Sequence, residues 1–564
     1  MPMESGIRKY QFVECSSHSE RAGPFNPPGE VQYRRLPVRR SDWFLTAAER
    51  GNPDTSIGAR RGDAWTEGNE CRVLVHGSNY FARLAEELTA AHPGDLVCFT
   101  DWRGDPDERL VGPGTEVCTV FARAASSGVL VRGLLWRSHP SQLRFSEQQN
   151  LRFVDIINEA GGEAFLDERV RRAGSHHQKL VVIRHASSTD RDVAFVGGID
   201  LSHGRHDDRN HEGDPQAIEI DKRYGPKPPW HDVQVELHGP VIGDLEHTFR
   251  ERWDDPEPIA KKTWGRFLAR AADERTKPEP LPPQRDDPKP AGSHAVQVLR
   301  TYPAKRPRYS FAKNGERSIA LTYMKAFKRA RSLIYIEDQY LWCVAAARVL
   351  AKALRDNPGL HLVVVVPAYP DADGRVSGPA NRVSQLRVLS RLAKAGGDRF
   401  AAYNIERPDG VPIYVHAKIC VVDDVWMMTG SDNFNRRSWT HDSELSLAII
   451  DDTIDEREPA DPAGLGDWAR VLPRSTRLEL WGEHLEDDDV PVDPIEGFTK
   501  LGEAADRLDG WYAGGQIGQR PAGRLRRHRP ASVAWWARPP TEAFYRLVSD
   551  PDGRPLLYRL RRTY

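Results

Sequence analysis

Two short stretches bring a histidine and a lysine together with one residue between them: His416-Ala417-Lys418 and His177-Gln178-Lys179. On an extended strand alternate side chains share a face, so each stretch offers an imidazole beside an ammonium. That combination suits a phosphodiester. The imidazole can attack phosphorus or move a proton, and the ammonium can face the non-bridging oxygens. Each stretch opens an apolar, β-branched run, Ile419-Cys-Val-Val422 and Leu180-Val-Val-Ile183, as a buried strand would.

The residues that follow extend the pattern. After His416, Gly430 permits a tight turn, and Ser431 and Asn433 can donate hydrogen bonds to an anion. Glu444 is a carboxylate able to hold a histidine Nδ1–H and fix its tautomer. After His177, a second apolar run ends in the small-residue turn Gly197-Gly-Ile-Asp-Leu201. It leads to Trp230-His-Asp232, where Asp232 is the matching carboxylate, expected to face His177.

The doubled pattern resembles the H-x-K-x4-D signature of the phospholipase D superfamily. The second copy matches throughout, at His416, Lys418, Asp423, Gly430, Ser431, Asn433 and Glu444. The first copy carries Arg184 where the signature has Asp, with Asp190 and Asp192 close behind. Gly197-Gly-Ile-Asp-Leu201, Trp230-His-Asp232 and the Gly239-Pro to Trp253 segment are similar to the phospholipase subgroup. The resemblance implies that His177 attacks phosphorus to form a covalent phosphohistidine while His416 protonates the leaving alcohol. It implies catalytic roles for Lys179, Lys418, Asp423, Asp232 and Glu444, and substrate binding by Asp200, Ser431 and Asn433. The implied substrate is a glycerophospholipid at a membrane surface, hydrolysed to phosphatidic acid and a head-group alcohol, or passed to another alcohol. Neither metal nor cofactor is expected, because two lysines supply the positive charge. A nuclease, a phosphatidyltransferase of the cardiolipin synthase kind and a binding protein without catalysis are the competing readings.

The chain has 564 residues, 80 Lys plus Arg and 81 Asp plus Glu, so no global basic field draws in nucleic acid. Hydrophobic content of 39% with 15 Trp marks a globular protein. The N-terminus shows no apolar stretch of leader length, and no long apolar run occurs. The expectation is a monomer with no membrane span, cytoplasmic or exported without a cleaved leader. Six Cys show no C-x2-C; Cys71, Cys98, Cys118 and Cys420 read as buried thiols, with neither disulfide nor zinc.

Strand and helix patterns alternate from Cys71 onward and replay their order in the second half. Asp101 precedes His177 by 76 residues, and Glu337 precedes His416 by 79. An α/β fold is therefore expected: two similar α/β/α sandwich lobes related by pseudo-twofold symmetry, with the active site between them. The lobes span residues 69–255 and 295–486, with an N-terminal extension at 1–68, a Pro- and charge-rich linker at 256–294 and a C-terminal extension at 487–564. The linker should hold a short helix near 263–272. The loop with His203, His206 and His211 reads as a solvated rim. Near the C-terminus, Arg524 to Arg529 and Trp535-Trp536 read as a solvated edge, and Asp550-Pro-Asp-Gly553 as the turn of a terminal hairpin.

Overall fold

The computed structural model describes residues 38–55, 57, 64–138, 146–259, 277–370, 377–529, 550–561 and 564. The helix expected near 263–272, the Trp535-Trp536 pair and most of the N-terminal extension lie outside them. Two single-turn helices, α1 (Arg40–Trp43) and α2 (Ala47–Arg50), come first. The first half then runs β1 (Thr66–Val75), α3 (Gly77–Thr89), β2 (Leu96–Asp101), α4 (Val117–Ser126), β3 (Leu130–Trp136), α5 (Glu147–Glu159) and β4 (Glu163–Asp167). It closes with β5 (Leu180–Arg184), β6 (Val193–Gly197), the two-residue β7 (Trp230–His231), β8 (Val233–His238) and α6 (Val241–Trp253).

The second half repeats this order. It has β9 (His294–Tyr302), the short β10 (Glu316–Arg317), α7 (Ser318–Arg329), β11 (Leu333–Glu337), α8 (Val344–Asp356), β12 (His361–Val365), α9 (Ser377–Gly396) and β13 (Phe400–Ile405). Then come β14 (Tyr414–Val415), β15 (Ile419–Val422), β16 (Trp426–Gly430), α10 (Arg436–Thr440), β17 (Glu444–Asp451) and α11 (Val471–Leu485). Beyond it lie α12 (Pro494–Ala513), β18 (Leu525–Arg527) and α13 (Leu556–Arg561).

The strand order displays the symmetry directly. From the centre outward, the first half reads β1-β8-β6-β5-β2-β3-β4 and the second reads β9-β17-β16-β15-β11-β12-β13. Pairings match too: β2–β3–β4 and β11–β12–β13 are parallel, and the other neighbours in each series are antiparallel. The parallel steps are those spanned by helices, as a parallel connection requires. The halves do not stand apart. β1 and β9 pair antiparallel, so one sixteen-stranded sheet runs through both.

Alternation along each strand feeds two cores. Leu180 and Val182 of β5 face one side and Val181 and Ile183 the other; in β15, Ile419 and Val421 oppose Cys420 and Val422. One cluster is shared by both halves and is covered by α6, α11 and α12. The opposite face has separate clusters, with α3, α4 and α5 over the first half and α7, α8 and part of α9 over the second. The α/β sandwich lobes are thus as expected. The five described cysteines are buried and unbridged. Among the described residues, no helix is long and apolar enough to cross a membrane.

Three local expectations are corrected. The histidine–lysine stretches do not lie in strands: β14 ends at Val415 and β15 begins at Ile419, and β5 begins at Leu180. Their backbones turn aside to bond the other half. The terminal Asp550-Pro-Asp-Gly553 turn leads into helix α13 rather than a second hairpin strand. There a Cβ on Gly553 would come within 1.8 Å of the Thr440 carbonyl oxygen, so the turn packs tightly onto α10. The resemblance implies a catalytic role for Asp423, but it stands at the far end of β15 from His416. Its carboxylate accepts the backbone N–H groups of Arg331, Ser332 and Leu333, each at 2.8 Å, and so fixes the entry to β11.

The first half solves the same problem in reverse. Arg184 ends β5, and the acid sits on the facing side: Asp95, just before β2, accepts Ala186 N at 2.6 Å and the His185 ring at 2.9 Å. Arg184 is itself buried, bonded to Asp192 at 2.8 Å, to Glu246 and to the Asp286 carbonyl at 2.6 Å. Asp192 also accepts His185 N at 2.6 Å. Arg184→Asp should therefore cost roughly 3–5 kcal/mol of stability, since it sets a third carboxylate against two buried acids. Urea denaturation reads this loss, and turnover of the folded fraction should stay within about tenfold because β5 separates the change from His177.

Candidate active site

Each histidine is held by a carboxylate from the other half. His177 Nδ1 donates to Glu444 Oε2 at 2.8 Å, and His416 Nδ1 donates to Asp232 Oδ2 at 2.6 Å. Asp232 therefore serves His416, not His177. The reason is the backbone path. His416 N and Ala417 N donate to the His231 carbonyl at 2.7 and 3.1 Å, continuing the parallel β14–β7 pairing. On the other side, His177 N donates to the Ser443 carbonyl at 2.9 Å, and Ser443 N to Ser175 O at 3.0 Å. Each histidine stretch thus lies along the chain that carries the opposing acid, and one residue further on the carboxylate reaches Nδ1. With Nδ1 occupied, Nε2 of each ring remains for chemistry.

The lysines are less alike. Lys179 Nζ pairs with Asp200 Oδ1 at 2.9 Å. Asp200 is buried, which raises its pKa, but Lys179 and Arg205 outweigh burial and hold it well below the usual carboxylate range. Asp101 lies beside it; burial and the Asp200 charge push its carboxyl well above the ordinary value. The resemblance implies substrate binding by Asp200, but it is committed to Lys179 and, at 3.3 Å, to Arg205. In the second half the corresponding position is Asn433, a neutral amide whose buried Oδ1 carries no hydrogen bond. Lys418 donates to the His416 carbonyl oxygen, as Lys179 does to that of His177 at 3.3 Å. Burial lowers Lys418 to about 8, against the pull of Asp232 and Asp338.

Ser431 is likewise committed. Its hydroxyl donates to Glu444 Oε2 at 2.6 Å and accepts Leu445 N at 3.0 Å, so it supports the carboxylate rather than waiting for an anion. Its first-half counterpart, Gly198, has no room for a side chain: a Cβ would come 2.4 Å from Asp232 Oδ1 and 3.2 Å from Lys418 Cδ. That contact brings the second-half lysine against the first-half turn. Asp200 likewise lies within electrostatic reach of Lys179, His416 and His177 together. The expected residues His177, Lys179, Asp200, Asp232, His416, Lys418 and Glu444 therefore meet at one centre, while Asp423 stays outside it.

Several residues escaped the sequence reading. Arg205 stacks 4.1 Å over the Trp230 ring and adds a third cation beside His416. Trp230 packs on His416 with ring centroids 4.9 Å apart, and Trp102 meets His177 edge-on at 6.0 Å. Gln178 donates to the Tyr302 hydroxyl at 3.0 Å and to the Glu444 carbonyl at 3.2 Å, locking the turn between His177 and Lys179. Arg205 and Trp102, isolated in irregular segments, carry no spacing signal, whereas Trp230 stands in the Trp230-His-Asp232 segment that the resemblance includes. His211 does not belong to the solvated rim that its sequence suggests: it is fully buried, whereas His203 is not.

Two like halves that set paired histidines and lysines about a common centre define a phosphodiesterase of duplicated design. The family profile described as Phospholipase D matches residues 107–365, and that described as Cardiolipin synthase, PLD-like domain, matches 323–457. The chain belongs to the phospholipase D superfamily. Phospholipase D alpha 2 of Oryza sativa subsp. japonica is 25% identical over 590 residues, covering 80% of this chain and 70% of the relative. Phospholipase D alpha 1 of Arabidopsis thaliana is 26% identical over 557 residues, covering 76% and 66%. A solved phosphatidylserine synthase of Haemophilus influenzae Rd KW20 aligns with a TM-score of 0.49 at 12% identity, over 85% of this chain and 94% of that one.

The exchanged pairing has a spectroscopic signature. Asp232→Asn should displace the Nδ1–H resonance of His416 and leave that of His177 in place, with the reverse for Glu444→Gln. Each change should lower turnover at least about a hundredfold, since the imidazole loses its tautomer partner. Lys418 is charged below about 8 and neutral above it. Affinity for an anion of fixed charge, such as tungstate, should therefore weaken as pH rises through that value, and Lys418→Met should flatten the titration.

Proposed function

We propose that the protein cleaves the distal phosphodiester of glycerophospholipids, releasing a head-group alcohol and leaving phosphatidic acid, through a phosphohistidine. The observation that carries this reading is the pair of histidines, each Nδ1 held by the opposing half's carboxylate and each Nε2 left for the substrate. Two such groups serve a two-step displacement. His177 Nε2 attacks phosphorus, the P–O bond to the head group breaks, and His416 gives that oxygen its proton. His416 then takes a proton from water, whose oxygen attacks phosphorus and frees His177. Lys418, Lys179 and the Asn433 amide face the non-bridging oxygens. Burial and Lys418 lower His416 to about 3, against the pull of Asp232, leaving it neutral. The anionic phosphodiester must raise it before it can act as an acid. The lipid substrate is supported by the Phospholipase D profile and by the names of the plant relatives.

Transfer to an alcohol other than water is the second reading, supported by the match of residues 323–457 to a cardiolipin synthase-type domain. Both readings share the first step and differ only in the acceptor. Incubation with phosphatidylcholine vesicles, with and without a primary alcohol, tests them together. Phosphatidic acid and choline are expected, joined by phosphatidyl-alcohol when alcohol is present. His177→Ala and His416→Ala should each lower turnover by several orders of magnitude. Acid quenching should trap phosphate on His177; phosphate on His416 would exchange the two roles. Cleavage of DNA without any cleavage of lipid would sink the lipid reading.

A further inference from the structure

Behind the catalytic centre lies a second cluster of titratable groups that the chemistry above does not use. His76, His211, His231 and Glu483 are all buried, and one ligand atom from each lies within 4.8 Å of the others. They come from distant parts of the chain: the turn between β1 and α3, the 202–229 loop, β7 and α11. Three imidazoles converge on one carboxylate. His76 Nε2 lies 2.7 Å from Glu483 Oε2, His211 Nε2 lies 2.9 Å from Oε1, and His231 Nδ1 lies 3.2 Å from the same Oε1.

The outer ring nitrogens fix the tautomers. His211 Nδ1 faces the Trp230 carbonyl at 3.2 Å, an acceptor, so that nitrogen carries the hydrogen. His231 Nε2 faces the Glu337 carboxylate at 2.7 Å, so it too is the protonated nitrogen. In the neutral rings both inner nitrogens then direct lone pairs at one carboxylate oxygen, acceptor against acceptors. A cation among them resolves this. Imidazoles that donate their outer N–H to a carboxylate or a backbone carbonyl are oriented as metal ligands usually are. The backbone agrees: His76 holds φ 73 and ψ 151, a region normally left to glycine, and costs about 1–3 kcal/mol unless its surroundings require it. Arg524 approaches Glu483 Oε1 at 3.7 Å, but its charge is already met by Glu486 at 3.3 Å.

We propose that His76, His211, His231 and Glu483 bind one divalent transition-metal ion, with Zn²⁺ the best fit to three imidazole nitrogens and one carboxylate in a closed tetrahedral site. The ion takes no part in phosphoryl transfer. It fastens the backbone that holds His416: the His231 carbonyl accepts His416 N, and His76 N donates to the Asp232 carbonyl at 2.9 Å. It also ties α11 of the second half to three ligands of the first.

The test uses the full chain, purified without a histidine tag and passed through a sizing column. Elemental analysis should find about one zinc per chain. After chelation in mild denaturant, refeeding with Co²⁺ should produce the visible absorption of a tetrahedral nitrogen–oxygen site. His76→Ala and His211→Ala should each hold less than about a tenth of the metal and melt earlier, while His203→Ala keeps it. A chain that carries no divalent metal and gives no Co²⁺ spectrum overturns the proposal, as does full metal retention by the His211 variant. In that case the three imidazoles are held to Glu483 by hydrogen bonds alone. Should the alanine variants fail to fold, the Co²⁺ spectrum of the unaltered chain decides the matter.

Discussion

The exchange of carboxylates between the halves is the interaction on which the rest depends. A buried imidazole that is to move protons needs a fixed tautomer and a counter-charge. Here neither half supplies both for itself. The symmetry axis passes between β1 and β9, and an antiparallel pair at a twofold axis sets equivalent elements opposite one another. The turn that carries each acid then falls beside the stretch that carries the other half's histidine. The burial of both acids follows from this, as does the departure of the histidine stretches from their strands. Backbone amides that would have continued β14 or β5 are satisfied across the junction instead.

Within that symmetry the halves differ at the residues beside their lysines. Asp200 answers the charge of Lys179, whereas the matching position in the second half is Asn433, and Lys418 feels Asp232 and Asp338 instead. The site therefore holds one lysine ion-paired with the acid of its own turn and one whose turn carries an amide, with Arg205 of the first half beside them. The strand-end acids differ for a purely architectural reason. Asp423 and Asp95 each tie β15 or β5 to the neighbouring strand, one reaching forward and the other back, and Arg184 occupies the space that the reversal leaves.

Much of the centre was legible because its parts repeat. The two histidine–lysine pairs, Glu444 and Asp232 stand at matching distances from apolar runs, and the matched order of elements implied the two halves. What could not be read were relations between segments far apart in sequence. Asp232 follows His177 by 55 positions and precedes His416 by 184, so proximity along the chain pointed to the wrong ring. Ser431 and Asp200 have the polarity of substrate ligands, yet each is consumed by a buried neighbour that sequence does not reveal. His211 sits in a stretch rich in Asp and Gly, and only the packing of α11 against it makes it an interior residue.

The continuous sheet bears on what a single half could do. Produced alone, the first half would expose the long edge of β1, a template for another strand. It would also hold His177 with no acid behind it. Both deficits are met by the same event, the docking of a second copy or of the other half along that edge. Pairing of the backbone and completion of the active site are therefore one step, and an unpaired half cannot be a weak enzyme; it is an incomplete one. Joining the halves in one chain keeps the second at a permanently high local concentration, so the docking of one half on the other does not depend on how much protein is present.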